Sequence, residues 1–138
     1  MHSEKRQHKQ PTALVVEDET LIAEELSERL TRMGFSVVAA VDSADEAIQA
    51  AVREQPDLVL MDIGLKGESD GIHAAAEIRK LVNSPVIYVT AYSDQVTLNR
   101  VKETEPYGYV LKPFHERELQ VTIELAMHRH AVEQQRKQ

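Results

Sequence analysis

The run Leu58-Val59-Leu60-Met61 has no polar side chain and ends on a carboxylate, Asp62. A strand this apolar cannot lie on a surface. It belongs in the middle of a sheet covered on both faces, the usual condition of parallel sheets. The same arrangement occurs earlier, where Ala13-Leu14-Val15-Val16 runs into Glu17-Asp18-Glu19, and two later apolar runs end on Thr90 and Lys112. Ligand sites of open parallel sheets lie beyond the carboxyl ends of the strands. Acids, a hydroxyl and a lysine at those ends therefore predict an acidic pocket there.

From position 12 onward, short β-branched runs alternate with longer amphipathic stretches, which is the pattern of βαβ units and an α/β fold. The runs predict strands over 12–17, 35–41, 57–62, 85–90 and 107–111, with helices between them covering both faces of a doubly wound, five-stranded parallel sheet. The first helix, over 20–33, places Leu21, Ile22, Leu26, Leu30 and Met33 at three- and four-residue spacings and is followed by Gly34, a usual left-handed terminator. The second, over 44–54, opens after Ser43 with Glu46 three residues on, and turns Ala47, Ile48, Ala51 and Val52 inward. The third, near 72–81, presents Ile72, Ala75, Ala76, Ile78 and Leu81. The fourth, over 94–103, has only Val96, Leu98 and Val101 among polar residues, so packing should hold it loosely.

The fifth helix begins after Pro113 and is longer than a domain of this kind needs. Leu119, Ile123, Ala126 and His130 keep nearly to a coiled-coil spacing, while Val121, Leu125 and Val132 form a second apolar edge. Two readings stay open: a helix packed on the sheet with a frayed polar end, or a stalk.

A chain of 138 residues suffices for one domain with its own core. It has no cysteine, which excludes thiol chemistry, and no apolar run near the ~20 residues of a membrane span. With no signal-peptide pattern at the start, the expected location is cytoplasmic. A net charge of −7 argues against nucleic-acid binding and suits a protein or cation partner. The basic segment 1–11 runs against this balance and is expected to be a disordered tail, with the folded domain over 12–127 and a polar extension, a linker or coiled-coil stalk, over 128–138.

Three carboxylates at close range, Glu17, Asp18 and Asp62, repel unless a cation sits among them, and an all-oxygen donor set suits Mg²⁺ or Mn²⁺ better than zinc. The ordinary alternative for Asp18 and Glu19 is capping of the first helix. Asp62 has no helix directly after it to cap, and a carboxylate so placed can attack phosphorus and form an aspartyl-phosphate. Thr90 offers a hydroxyl to a phosphoryl oxygen, and Lys112 a compact cation on a flexible stem. A cis bond between Lys112 and Pro113, costing only ~0.5–1 kcal/mol over trans, would turn the lysine inward.

Together, Val15-Val16-Glu17-Asp18-Glu19, Leu60-Met61-Asp62, Val89-Thr90-Ala91 and Tyr109-Val110-Leu111-Lys112-Pro113-Phe114 resemble, in order and spacing, the receiver domain of two-component response regulators. The resemblance implies a flavodoxin-like strand order of 2-1-3-4-5. It makes Asp62 the phosphoacceptor for a histidine kinase phosphohistidine or a phosphotransfer protein, and makes the chain a switch, not a turnover enzyme. By the same resemblance Asp18 is a direct Mg²⁺ ligand, Glu17 holds the ion through water, and Gly64 gives its backbone carbonyl. Thr90 and Lys112 bind phosphoryl oxygens, and Tyr109 is an aromatic switch that follows Thr90. The face of the fourth helix, fifth strand and fifth helix would then meet a downstream effector, an attached sensor or kinase module, or a second copy.

Two departures stand out. The loop after Asp62 lacks the family's Met-Pro turn and reaches Asp70-Gly71 one residue late. Gly64 and Tyr92 occupy two places that tune phosphoryl lifetime: Gly64 cannot position a hydrolytic water and Tyr92 can obstruct one, so slow self-dephosphorylation is expected. Two rivals remain. One is a scaffold receiver that is never phosphorylated. The other is an Asp-nucleophile phosphohydrolase, which needs an acid two residues after the nucleophile, where this chain has Gly64.

Overall fold

The computed structural model describes residues 9–137; the basic segment assigned to a tail lies for its first eight residues outside that range. Five parallel strands, β1 (Thr12–Val16), β2 (Ser36–Val41), β3 (Leu58–Met61), β4 (Val86–Thr90) and β5 (Gly108–Leu111), form one sheet in the order β2-β1-β3-β4-β5. The five described helices are α1 (Thr20–Arg32), α2 (Ala44–Glu54), α3 (Gly71–Leu81), α4 (Gln95–Glu103) and α5 (Glu116–Arg136). The fold class and strand order are those expected.

Side chains alternate across each strand, so the sheet has two separate cores. Leu14, Val16, Val59, Met61 and Tyr88 face α2, α3 and the single buried residue of α4, Val101. Ala13, Val15, Leu58, Leu60, Ile87, Val89 and Val110 face α1 and α5. The three central strands β1, β3 and β4 are buried along nearly their whole length. Among the described residues no helix is long and apolar enough to cross a membrane.

Helix ends follow their local chemistry. Ser43 Oγ accepts the Glu46 N–H at 3.3 Å and caps α2 as its sequence signal predicts. Asp70 caps α3, its Oδ1 accepting the His73 N–H at 3.0 Å, and Asp94 caps α4 through the Thr97 N–H at 3.1 Å. Glu19 stands at the N-cap of α1 but makes no side-chain capping bond.

Several apolar residues expected inside are outside. Leu21 is 80% exposed, and Val52 and Leu81 are also on the surface. Each lies at the margin of its helix's apolar stripe. Leu26 and Leu30 carry the contact of α1, and Ala44, Ala47, Ala50 and Ala51 that of α2. In α3, Ala74 is buried where Ala76 was expected. The weak packing expected of α4 is present, since only Val101 of that helix is buried and Val96 is 72% exposed.

The second half of α5 is docked, not frayed. The Tyr107 hydroxyl donates to Glu133, Arg129 lies 4.4 Å over the Tyr107 ring, and Asn83 Nδ2 donates to Gln134 at 2.6 Å. The Leu119, Ile123 and Ala126 stripe packs on the sheet and is not free to form a coiled-coil seam.

One glycine sets the geometry of the site. A Cβ on Gly71 would stand 1.9 Å from the backbone oxygen of Asp62, so only glycine lets the start of α3 press against the end of β3. Gly71→Ala is expected to lower stability in urea denaturation by about 1–3 kcal/mol, as overpacking against fixed backbone does.

Candidate functional site

Glu17, Asp62 and Lys112 each stand one residue beyond a strand end, held there by continuation of the sheet's hydrogen bonds. The Glu17 N–H donates to the Val41 carbonyl, the Asp62 N–H to Val16, and the Lys112 N–H to Thr90, each at 2.9 Å. With the backbone tied on the neighbouring strand, the side chain at each position projects over the sheet's carboxyl edge.

Glu17, Asp18 and Asp62 each contribute a carboxylate oxygen to a group lying within 4.8 Å of one another. Glu17 and Asp62 are buried, and Asp18 is half-buried. Lys112 enters the same space: its Nζ donates to Glu17 Oε1 at 2.7 Å and to Asp62 Oδ2 at 3.1 Å. The other oxygens of the two buried acids take backbone donors. Asp62 Oδ1 accepts the Ile63 N–H at 2.7 Å and Glu17 Oε2 accepts the Glu19 N–H at 3.2 Å. The Lys112–Pro113 bond is cis.

Burial pushes the Glu17 carboxyl up to about 7, with the Asp62 charge adding to the rise and the Lys112 hydrogen bond opposing it. Burial works against the Lys112 charge too, but the Glu17 hydrogen bond and Asp62 outweigh it and hold the ammonium above its ordinary value. Lys112 pairs with two of the three grouped carboxylates, Glu17 and Asp62, and leaves Asp18 without it, an electrostatic deficit that a further cation would relieve. The donors are all hard oxygens, fitting Mg²⁺ or Mn²⁺.

Thr90 is fully buried at the end of β4, and its Oγ1 accepts the Tyr92 N–H at 3.4 Å. Tyr109 is half-buried on edge strand β5, its ring 5.9 Å from that of Tyr88, and its hydroxyl donates to the Tyr92 carbonyl. Tyr92 thus bonds to both Thr90 and Tyr109 through its backbone. Its ring lies over the loop after Asp62, since a Cβ on Gly64 would meet Tyr92 Cε2 at 3.2 Å and its hydroxyl at 3.3 Å. Sequence reasoning singled out Tyr92 beside Gly64, where its ring does lie, but not the backbone bridge, which no side-chain pattern encodes.

Other contacts had no usable signal in the sequence. Arg100 of α4 makes a two-point ion pair with Asp70, its Nη1 and Nη2 at 2.9 and 3.2 Å from the carboxylate oxygens. This joins α4 to the cap of α3, one residue from the Gly71 contact with Asp62. At the C-terminal end of α4, Thr104 Oγ1 donates to the Val101 carbonyl at 2.7 Å and pairs with the buried Tyr88 hydroxyl at 2.8 Å. The loop after Asp62 runs to the β2–α2 connection, where the Lys66 N–H donates to the Asp42 carbonyl at 3.1 Å.

The family described as the response regulator receiver domain matches residues 13–124. The transcriptional regulatory protein PdtaR of Mycobacterium tuberculosis is 36% identical over 116 residues, 84% of this chain and 56% of that protein. The chain spans about half the length of the curated relatives it matches. Among solved structures, the signal receiver domain of a modulated diguanylate cyclase from Desulfovibrio desulfuricans G20 is 36% identical with a TM-score of 0.85, over 91% of this chain and 99% of that one. The N-terminal domain of a response regulator/sensory box/GGDEF 3-domain protein from Carboxydothermus hydrogenoformans is 28% identical with a TM-score of 0.80, over 88% and 98%.

If the acidic group holds Mg²⁺, the ion at ten times its dissociation constant raises unfolding free energy by about 1.4 kcal/mol. Thermal melts across a Mg²⁺ titration are expected to show this rise, and the same concentration range to leave Asp18→Asn unmoved.

Proposed function

Because the chain belongs to the response regulator receiver domain family, we propose that it is a phosphorylation switch in which Asp62 accepts a phosphoryl group from a histidine kinase or a phosphotransfer protein. The observation that carries this reading is the buried Asp62 carboxylate grouped with Glu17 and Asp18 and bridged by Lys112. Receiver domains of this family work as switches, not turnover enzymes. The same role is proposed for this chain, in the cytoplasm, with no nucleic acid bound by this domain.

The Asp62 carboxylate attacks phosphorus, the bond to the donor imidazole nitrogen breaks, and the electron pair leaves with the imidazole. Glu17, Asp18, Asp62 and the Gly64 backbone carbonyl would hold Mg²⁺, whose positive charge would offset the carboxylates and the phosphoryl oxygens. Lys112 exchanges its contact with Asp62 for one with a phosphoryl oxygen. Thr90 donates its hydroxyl to a second oxygen, which withdraws Oγ1 from the Tyr92 N–H. Tyr92 is then free to shift, and with it the Tyr109 hydroxyl bonded to its carbonyl.

The shift reaches a face already loosely held, since α4 buries only Val101. The α4–β5–α5 face is where a downstream effector, an attached sensor or kinase module, or a second copy would read the state, and the energy of the readout is the difference in its contacts with the two arrangements. A phosphohydrolase reading has no general acid, because position 64 is a glycine under the Tyr92 ring. A scaffold reading has no observation in its favour with acids, threonine and lysine all in place.

Intact mass after incubation with acetyl phosphate and Mg²⁺ is expected to show one added phosphoryl group, lost when Mg²⁺ is omitted and in Asp62→Ala; absence of the adduct with both small-molecule and kinase donors would favour the scaffold. Tyr92→Ala uncovers Gly64, and its phosphorylated form is expected to decay faster than the parent protein, followed by phosphate release. Leu21 offers an exposed apolar contact in the first turn of α1, three residues from Asp18. Leu21→Glu is expected to slow phosphotransfer from a kinase while leaving acetyl phosphate labelling unchanged, a split that kinetic measurement with the two donors reads directly.

A further inference from the structure

We infer that Asp42 and Lys66 form a clasp that fixes the position of the Gly64 backbone carbonyl and so makes the acidic pocket prefer Mg²⁺ to the larger Ca²⁺. The inference rests on the reading of Glu17, Asp18, Asp62 and that carbonyl as a metal site. Neither member of the clasp is a ligand; both act through the loop.

The loop between Asp62 and α3 has no proline to stiffen it, and Gly64 is its most permissive residue after the strand end. Its backbone is nonetheless tied on both sides of Gly64. On one side the Ile63 carbonyl accepts the Gly71 N–H at 2.8 Å. On the other, the Lys66 N–H donates to the Asp42 carbonyl at 3.1 Å, and Lys66 pairs in parallel with Ser43 in an isolated bridge. Leu65 packs against the core that faces α2 and α3. Gly64 and Leu65 alone separate the tied positions Ile63 and Lys66, so a displacement of Lys66 reaches Gly64 within two residues.

The side chains close the same contact a second time. Lys66 Nζ lies 3.0 Å from Asp42 Oδ2, with the two side chains 65% and 40% exposed. A pair so exposed adds little to global stability. Its effect here is positional. Asp42 follows Val41, whose carbonyl holds the Glu17 N–H at 2.9 Å, and precedes Ser43, whose Oγ caps α2. Three consecutive residues therefore hold the backbone of Glu17, the loop carrying Gly64 and the start of a helix in one frame.

Ion size turns this frame into selectivity. Mg²⁺ demands near-octahedral oxygens at about 2.0–2.1 Å, whereas Ca²⁺ accepts about 2.3–2.6 Å and irregular geometry. A carbonyl held in place suits the first ion, and a carbonyl free to move suits the second. Both ions carry two charges, so loss of a nearby charged side chain changes their affinities alike. The ratio of the two affinities then reads geometry.

The chain is titrated with Mg²⁺ and separately with Ca²⁺, without a phosphoryl donor, and amide NMR shifts give each dissociation constant. The parent protein is expected to bind Mg²⁺ more tightly. Asp42→Ala and Lys66→Met are each expected to lower the ratio of the Ca²⁺ to the Mg²⁺ dissociation constant by about two- to fivefold, the reach of an exposed ion pair. The double variant is expected to lower it no further than either single one, and Lys66→Arg to keep the parent's ratio. Both side chains are exposed, so circular dichroism of the metal-free variants should match the parent. A ratio unchanged in the single variants, moved in opposite directions by them, or lowered additively in the double variant would overturn the inference and leave the metal site in place, as would a parent that prefers Ca²⁺. A parent that binds neither ion would overturn the metal-site reading and the inference with it.

Discussion

Lys112 Nζ lies 2.7 Å from Glu17 and 3.1 Å from Asp62, in a pocket that also contains the Asp18 carboxylate. One cation among three acids is an unbalanced charge set, and the surrounding structure keeps it assembled. The acids come from β1 and β3, which pair directly, and the lysine from β5 at the sheet edge, tied to β4 through the Thr90 carbonyl. Each strand is apolar to its last residue and then ends on its polar group. Burial of the strands between two helical layers supplies the stability that lets like charges be held together at the edge. A site of this kind takes further positive charge, and a phosphoryl acceptor needs that property.

The same economy governs how the site connects to its surface. The α4 helix rests on one buried side chain and on two polar contacts in its C-terminal half: Arg100 with Asp70, and Thr104 with Tyr88. Segments with few buried apolar contacts open at lower free energy than the core does. Tyr92 bonds through its backbone to Thr90 on one side and Tyr109 on the other, so the end of β4 and the edge strand β5 are joined beside the pocket by hydrogen bonds. Asp70 is next to Gly71, which presses on the Asp62 backbone, and this links α4 to the strand that carries Asp62.

The fold and the charged members of the site were readable because both are written in short-range pattern. Apolar strand runs and helix stripes recur along the chain, and Glu17, Asp18, Asp62, Thr90 and Lys112 stand where the strand runs stop. The misreadings come from features that pattern does not carry. Leu21, Val52 and Leu81 match a helical apolar repeat yet lie at the margin of their stripes, where the neighbouring element decides whether they are covered. Spacing alone left two uses of the α5 apolar positions open, and tertiary packing separates them: Leu119, Ile123 and Ala126 hold the domain, and the edge at Val121 and Leu125 is the exposed one. The Tyr92 bridge and the Asp70–Arg100 pair depend on tertiary approach, through main-chain atoms in one case and across 30 residues in the other.

The central claim is that Asp62, and no other acid of the cluster, forms the acyl phosphate. Borohydride reduction of the phosphorylated protein, followed by peptide mass mapping, converts an aspartyl-phosphate to homoserine and so marks the residue that carried it. Homoserine at position 62 alone is the predicted result. Reduction product at Glu17 or Asp18, or phosphorylated protein that yields none at position 62, would contradict the account.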